Sequence, residues 1–287
     1  MLWTMRISRT GRLRRPLHDP QDASFSSSYL FDTKGFDMEM DQVILDGNRP
    51  YLKTGVGPFI NISDASSVTV NQGVEVRNTA FSAGGTVFLL GSSSTPTTLT
   101  INGGWYHDLT GFAGLFVNGS GLALSNYVPG RCVINDCLVE NNSGTYGTIY
   151  AYRFVDIVLN GGTFRNNTMK NGWGTLAAIT GDARCTFTIG TPAEGLPQSL
   201  GGDILLLNTK SSSDGVSITK DCAVTLSAPL QVNLNISGSM MVWGITLVEG
   251  ADGYLLTQAD ADHILPTTGD AVALNPRSNT IEIAKTR

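Results

Sequence analysis

The chain reads as an all-β protein, a parallel β-helix (solenoid) with a small C-terminal capping region. Three observations predict it. Asp, Glu, Lys and Arg make up only 15% of 287 residues, where about a quarter is usual. Glycine (33) and asparagine (19) are abundant, a composition of short strands and turns rather than of helices. The third observation is an internal repeat. A hydrophobic content of 41% is enough for a buried core.

Four segments share the pattern apolar, any, apolar, Asn, any, small: Val68–Gly73, Leu99–Gly104, Cys132–Cys137 and Ile157–Gly162. A fifth, Phe187–Gly190, keeps the apolar positions and loses the asparagine. Alternation sends Leu99 and Ile101 to one face and Thr100 to the other, as a half-buried strand requires. One such strand cannot bury its apolar face alone, so successive units stack and equivalent residues form ladders. Val70, Ile101, Ile134, Leu159 and Ile189 are expected to form one inner ladder, and Asn71, Asn102, Asn135 and Asn160 an amide ladder at the adjoining corner. Gly73, Gly104 and Gly162 are expected to share a column that closes the corner, with Cys137 replacing glycine in it.

Each unit carries a second β-prone run that opens on glycine: Gly85–Leu89, Gly114–Val117, Gly147–Ala151 and Gly174–Ala178. Between the two runs lies a polar element, Arg77-Asn78, His107-Asp108, Glu140-Asn141-Asn142 or Arg165-Asn166-Asn167. Strand, polar corner, strand, glycine turn and strand make one coil. Tandem helical repeats have similar periods but need apolar spacings of three and four and glycine-free runs, which are missing here.

The expected organisation is an irregular extension over 1–40, the β-helix over 41–236 and a β-rich cap over 237–287. Arg6, Arg9, Arg12, Arg14 and Arg15 open the chain without an acid beside them. Pro16-Leu17-His18-Asp19-Pro20 follows where a secretion signal would place its apolar core, so no such signal is expected. Asp41–Asn48 and Pro58–Ile62 supply early, irregular coils, and Asp203–Leu207, Val216–Ile218, Ala223–Leu226 and Val232–Ile236 continue the array. The cap is expected to hold a short turn capped by Thr257 with Asp260 three residues on. A hairpin from Ala271–Leu274 to Thr280–Ile283 completes it and covers the last open edge.

The run Leu-Asn-Gly-Gly-Thr-Phe-Arg-Asn-Asn-Thr at 159–168, with Val-Ile-Leu-Asp-Gly-Asn at 43–48, resembles the pectate-lyase-like right-handed parallel β-helix superfamily. More narrowly, it is similar to the adhesin-type, polymorphic-outer-membrane-protein-like repeats of bacterial surface proteins. The resemblance covers about residues 41–236. It implies an extracellular or cell-surface module for recognition or display, with a polysaccharide or glycan as partner. The wider superfamily includes glycoside hydrolases and polysaccharide lyases, so it also implies an alternative enzymatic reading. Its repeat encodes stacking rather than chemistry.

Aligning the polar corner places Arg77, His107, Glu140 and Arg165 in one column and Asn78, Asp108, Asn141 and Asn166 in the next. One expectation is an exposed charge ladder, worth under about 1 kcal/mol per pair. The other makes Asp108 and Glu140 a carboxylate pair for glycoside hydrolysis, with Arg165 orienting or stabilising a sugar. Stacked coils supply either the ~5–5.5 Å of a retaining pair or the ~6.5–9.5 Å of an inverting one. Trp105, His107, Tyr146, Tyr150, Tyr152 and Trp173 are the candidate ligand-binding residues, the aromatic rings offering faces on which sugars stack.

Cys132, Cys137, Cys185 and Cys222 show no metal-ligand spacing. Cys132 and Cys185 read as small buried hydrophobes. With three scattered histidines and no compact acidic cluster, no metal and no cofactor is expected. Removing the first 15 residues leaves 14 bases against 24 acids, a net of −10, which excludes a phosphate-backbone surface and hence nucleic acid. No apolar stretch is long enough to insert in a membrane.

Overall fold

Ser67–Val70 turns Val68 and Val70 inward to full burial and leaves Ser67 and Thr69 half-buried outside, the expected period of two. In the computed structural model the described residues are 5–6, 31–47, 58–81, 85–91, 95–112, 115–119, 128, 130–151, 155–169, 176–179, 185–189, 204–207, 216–218, 222–236, 245–266 and 268–284. Their strands stack into three parallel sheets that wrap one apolar interior, forming a β-solenoid.

The first sheet stacks Ser67–Val70, Thr98–Ile101, Gly130–Ile134, Val155–Leu159, Cys185–Ile189 and Cys222–Leu226 in register. Val70, Ile101, Ile134, Leu159 and Ile189 form one inner column, and Met40 and Leu226 extend it at either end. The second sheet stacks Ile44–Asp46, Glu75–Ala80, Trp105–Phe112, Leu138–Glu140, Gly162–Arg165 and Ile204–Leu207. The third stacks Ile60–Ile62, Phe88–Gly91, Phe116–Gly119, Ile149–Ala151, Ala177–Ile179 and Val216–Ile218.

Between the first and second sheets the amide ladder forms as expected. Nδ2 of Asn102 donates to Oδ1 of Asn71 at 3.2 Å, Asn135 to Asn102 at 2.8 Å, and Asn160 to Asn135 at 2.7 Å. Asn71 in turn donates to Glu39 at 2.8 Å. The expected glycine column needs correction. Trp105 stacks on Glu75, so Gly104, Cys137 and Gly162 share a column with Val74, while Gly73 occupies an extra corner residue of its own. Gly73 carries a φ of +83°, a backbone conformation glycine adopts without strain. At Gly162, with φ +135°, an added Cβ would meet the Phe164 ring at 3.1 Å and Cys137 Sγ at 3.2 Å.

Both expected domain boundaries shift. Met38–Met40 already pairs with Val68–Val70, Phe31–Asp32 with Ile60–Asn61, and Met5–Arg6 with Met38–Glu39, so stacking begins inside the segment expected to be irregular. The first corner carries Asp41-Gln42 in place of Asn-x-small, which hides this coil from a pattern search. At the other end Thr246–Gly250 and Ile264–Pro266 still stack in parallel on Cys222–Leu226 and Leu234–Ile236. The cap proper is the helix Gln258–Asp262 and the hairpin Val272–Asn275/Thr280–Ile283, whose second strand pairs antiparallel with Thr246–Gly250. Thr257 and Asp260 form the expected capping box. Asp260 also accepts from the Leu230 backbone N–H at 2.8 Å and from the Tyr254 hydroxyl at 2.9 Å, fastening the cap to the preceding coil.

Candidate functional site

On the second sheet, Val76, Tyr106, Val139 and Phe164 point inward and are fully buried. Their alternate neighbours therefore face outward in two columns, Glu75-Trp105-Leu138-Thr163 and Arg77-His107-Glu140-Arg165. The second column is the expected one, and Asp46 extends it beyond Arg77. Asn78, Asp108, Asn141 and Asn166 follow in the next column. All four hold the left-handed backbone conformation, with φ between +53° and +57°. Asn and Asp tolerate that region because their short polar side chains bond locally, which explains this choice of residues at the bend.

One coil position further, Asn142 and Asn167 turn inward and are 1% exposed. Asn142 accepts from the Leu109 N–H at 2.9 Å and donates to the Tyr106 carbonyl at 3.1 Å. Asn167 accepts from the Asn142 N–H at 3.1 Å and donates to the Val139 carbonyl at 3.0 Å. They replace the backbone bonds that the bend breaks.

The outward columns are wired together. Arg77 Nε lies 2.9 Å from Asp46, and its Nη1 lies 2.7 Å from Glu75. His107 stands between two carboxylates, Nε2 at 3.2 Å from Glu75 and Nδ1 at 2.7 Å from Asp108. Trp105 stacks on His107 with ring centroids 3.9 Å apart, and its indole N–H donates to Glu140 at 2.8 Å. Arg165 Nε contacts the other Glu140 oxygen at 2.5 Å. Hydrogen bonding to Arg165 holds the Glu140 carboxyl below the ordinary glutamate range; burial opposes this, and the Trp105 bond assists it. A glycosidase acid needs the opposite shift. With both oxygens engaged, Glu140 serves as a fixed anion that orients an indole and a guanidinium.

Beside this network a groove of about 620 Å³ runs along the first corner and the strand starts of the second sheet. Trp105, Glu75, Thr163, Arg165, Gln72 and Asp136 are among the residues that line it. Trp105 is 40% exposed there, although its ring and its N–H are both held.

The structure thus brings Trp105, His107, Asp108, Glu140 and Arg165 together. It places Tyr146 and Tyr150 elsewhere, Tyr150 on the third sheet, the two rings stacked on each other at 4.2 Å. Tyr152 and Trp173 lie outside the described residues, as does the Gly174 opening of the fourth β-prone run. Cys132 and Cys137 are buried free thiols, and burial pushes Cys132 up to about 12. Among the described residues no group of three His, Cys, Asp or Glu is placed to hold a metal ion, and no helix is long and apolar enough to cross a membrane.

Glu75 was not singled out from the sequence, yet it joins Arg77 to His107. Its place two residues before Arg77, on the same face of the strand, is the signal that finds it. No protein-family model, curated protein or solved structure matches the chain.

Proposed function

We propose that the chain is a recognition or display module of the adhesin type within the pectate-lyase-like β-helix superfamily, working at a bacterial cell surface, and that the second-sheet groove binds a glycan. Trp105 carries this reading. An indole clamped by His107 and Glu140 yet 40% exposed is a rigid platform for the apolar face of a sugar ring, and its order is established before the ligand arrives. Glu75, Gln72, Asp136, Thr163 and Arg165 surround it with hydrogen-bonding groups suited to hydroxyls. The lowered Glu140 carboxyl, with both oxygens engaged, counts against its serving as the general acid of a glycosidase.

The test is calorimetry of the full chain against a panel of plant, bacterial and host polysaccharides. At least one is expected to bind, with affinity falling at least about tenfold in Trp105→Ala and holding in Tyr150→Ala. Absence of binding across the panel, or equal affinity in Trp105→Ala, overturns the assignment.

A further inference from the structure

The outer face of the first sheet has no part in the groove. Its central column reads Thr69, Thr100, Val133, Val158, Thr188 and Thr225 in continuous register, bounded by Glu39 before and Glu249 after. The order is palindromic about the midpoint between Val133 and Val158. The six central side chains are all half-exposed, β-branched and uncharged, giving a face of even height.

The neighbouring column carries charge at that same midpoint. Arg131 and Asp156 lie side by side in the strand register, Arg131 exposed and Asp156 half-buried. They make no ion pair with each other among the described residues. Asp156 bonds only the Thr186 hydroxyl, at 2.7 Å, and Arg131 has no polar side-chain partner there.

We infer that this face is a self-complementary interface with a second copy of the chain. A two-fold axis along the strands, passing between Gly130–Ile134 and Val155–Leu159, sets Val133 on Val158 of the second copy, Thr100 on Thr188 and Thr69 on Thr225. The same operation sets Arg131 on Asp156 of the second copy and Asp156 on its Arg131, so two oppositely charged pairs form across the interface. The solenoid axes then run antiparallel. Glu39 and Glu249 also meet, outside the six central side chains, with Arg6 beyond Glu39 and Thr280 beyond Glu249 in the same sheet.

Eight strands at about 4.8 Å and about 16 Å of strand length bury about 550 Å² a side, near the lower end of specific interfaces. An interface of that size fits a dimer in equilibrium with its monomer.

Sedimentation velocity of the full chain from about 1 to 200 µM is the test. The wild type is expected to pass from monomer to dimer. Arg131→Asp and Asp156→Arg, each checked for native circular dichroism, are expected to weaken association at least about tenfold, since each places like charges opposite one another at two sites. An equimolar mixture of the two variants is expected to form a heterodimer, because complementary pairs are restored only between unlike chains. A wild type that stays monomeric or forms trimers overturns the inference, as do single variants that associate like wild type or a mixture no tighter than its components.

Discussion

Two corners flank the second sheet's strand starts and strand ends, both are built on asparagine, and they use it differently. At the first corner, Asn71, Asn102, Asn135 and Asn160 bond one another in a line parallel to the solenoid axis, each amide serving the coil above and the coil below. At the second, Asn142 and Asn167 bond backbone groups inside the core, while Asn78, Asn141 and Asn166 hold a left-handed backbone outside it and make only long, exposed side-chain bonds, Asn166 to Asn141 at 3.3 Å and Asn78 to Asp46 at 3.4 Å. A uniform ladder tolerates no foreign residue without interrupting its neighbours. A corner whose inner amides settle the backbone locally leaves the strand ends beside it free to vary, and there the chain carries Arg77, His107, Glu140 and Arg165. The candidate site lies on the side of the coil where stacking asks least of the outward-facing side chains.

The difference is measurable in stability. Asn142→Ala is expected to cost most, about 3 kcal/mol in denaturant unfolding, because it orphans the buried Leu109 N–H and the Tyr106 carbonyl. Asn135→Ala, which severs the amide line at its middle, is expected to cost about 2 kcal/mol, less because of the two amides it parts only Asn160 is buried, while Asn102 is half-buried and water can reach it. Equal or reversed costs would mean that the two corners do not divide the work in this way.

Acid separates them next. The Glu140 carboxyl is lowered in the folded state, so its contribution is present above the unfolded glutamate range and is lost as pH falls through the lower folded value. Melting curves of wild type and Glu140→Gln are expected to differ at pH 7, with the difference shrinking as the pH falls below the ordinary glutamate range. The deficit of Asn135→Ala, whose ladder of amides does not titrate, is expected to stay constant over the same range. The smallest effect belongs to Asn141. Its φ of +57° makes Asn141→Gly neutral within about 0.5 kcal/mol and Asn141→Ala costly by about 1 kcal/mol, read from thermal midpoints.

The inner ladder was legible because alternation and the Asn that ends it recur together, so Val70, Ile101, Ile134, Leu159 and Ile189 align without coordinates. The outward column Arg77-His107-Glu140-Arg165 followed from the same alignment. What stayed hidden has physical causes. Met38–Met40 makes a coil like the others, but its corner turns at Gln42, φ +54°, with no asparagine to mark it. Gly73 looked equivalent to Gly104 because an inserted residue changes spacing without changing composition. Trp105 donates to a carboxylate 35 residues away, a contact set by rotamer and stacking height rather than by local pattern. Tyr146 and Tyr150 share aromatic character with Trp105, yet which sheet a side chain decorates is decided by where each turn falls.

The register columns also separate contour length from height. From Val70 to Ile101, Ile134, Leu159 and Ile189 the chain spends 31, 33, 25 and 30 residues, yet each step advances one strand spacing of about 4.8 Å. Added length between stacked strands costs little in loop-closure entropy. The molecule can therefore be lengthened only in whole coils, and a duplicated coil would carry the cap outward as a unit while leaving every inner neighbour relation intact. Height along the axis is quantised, and the sequence between strands is open to insertion without displacing anything above or below.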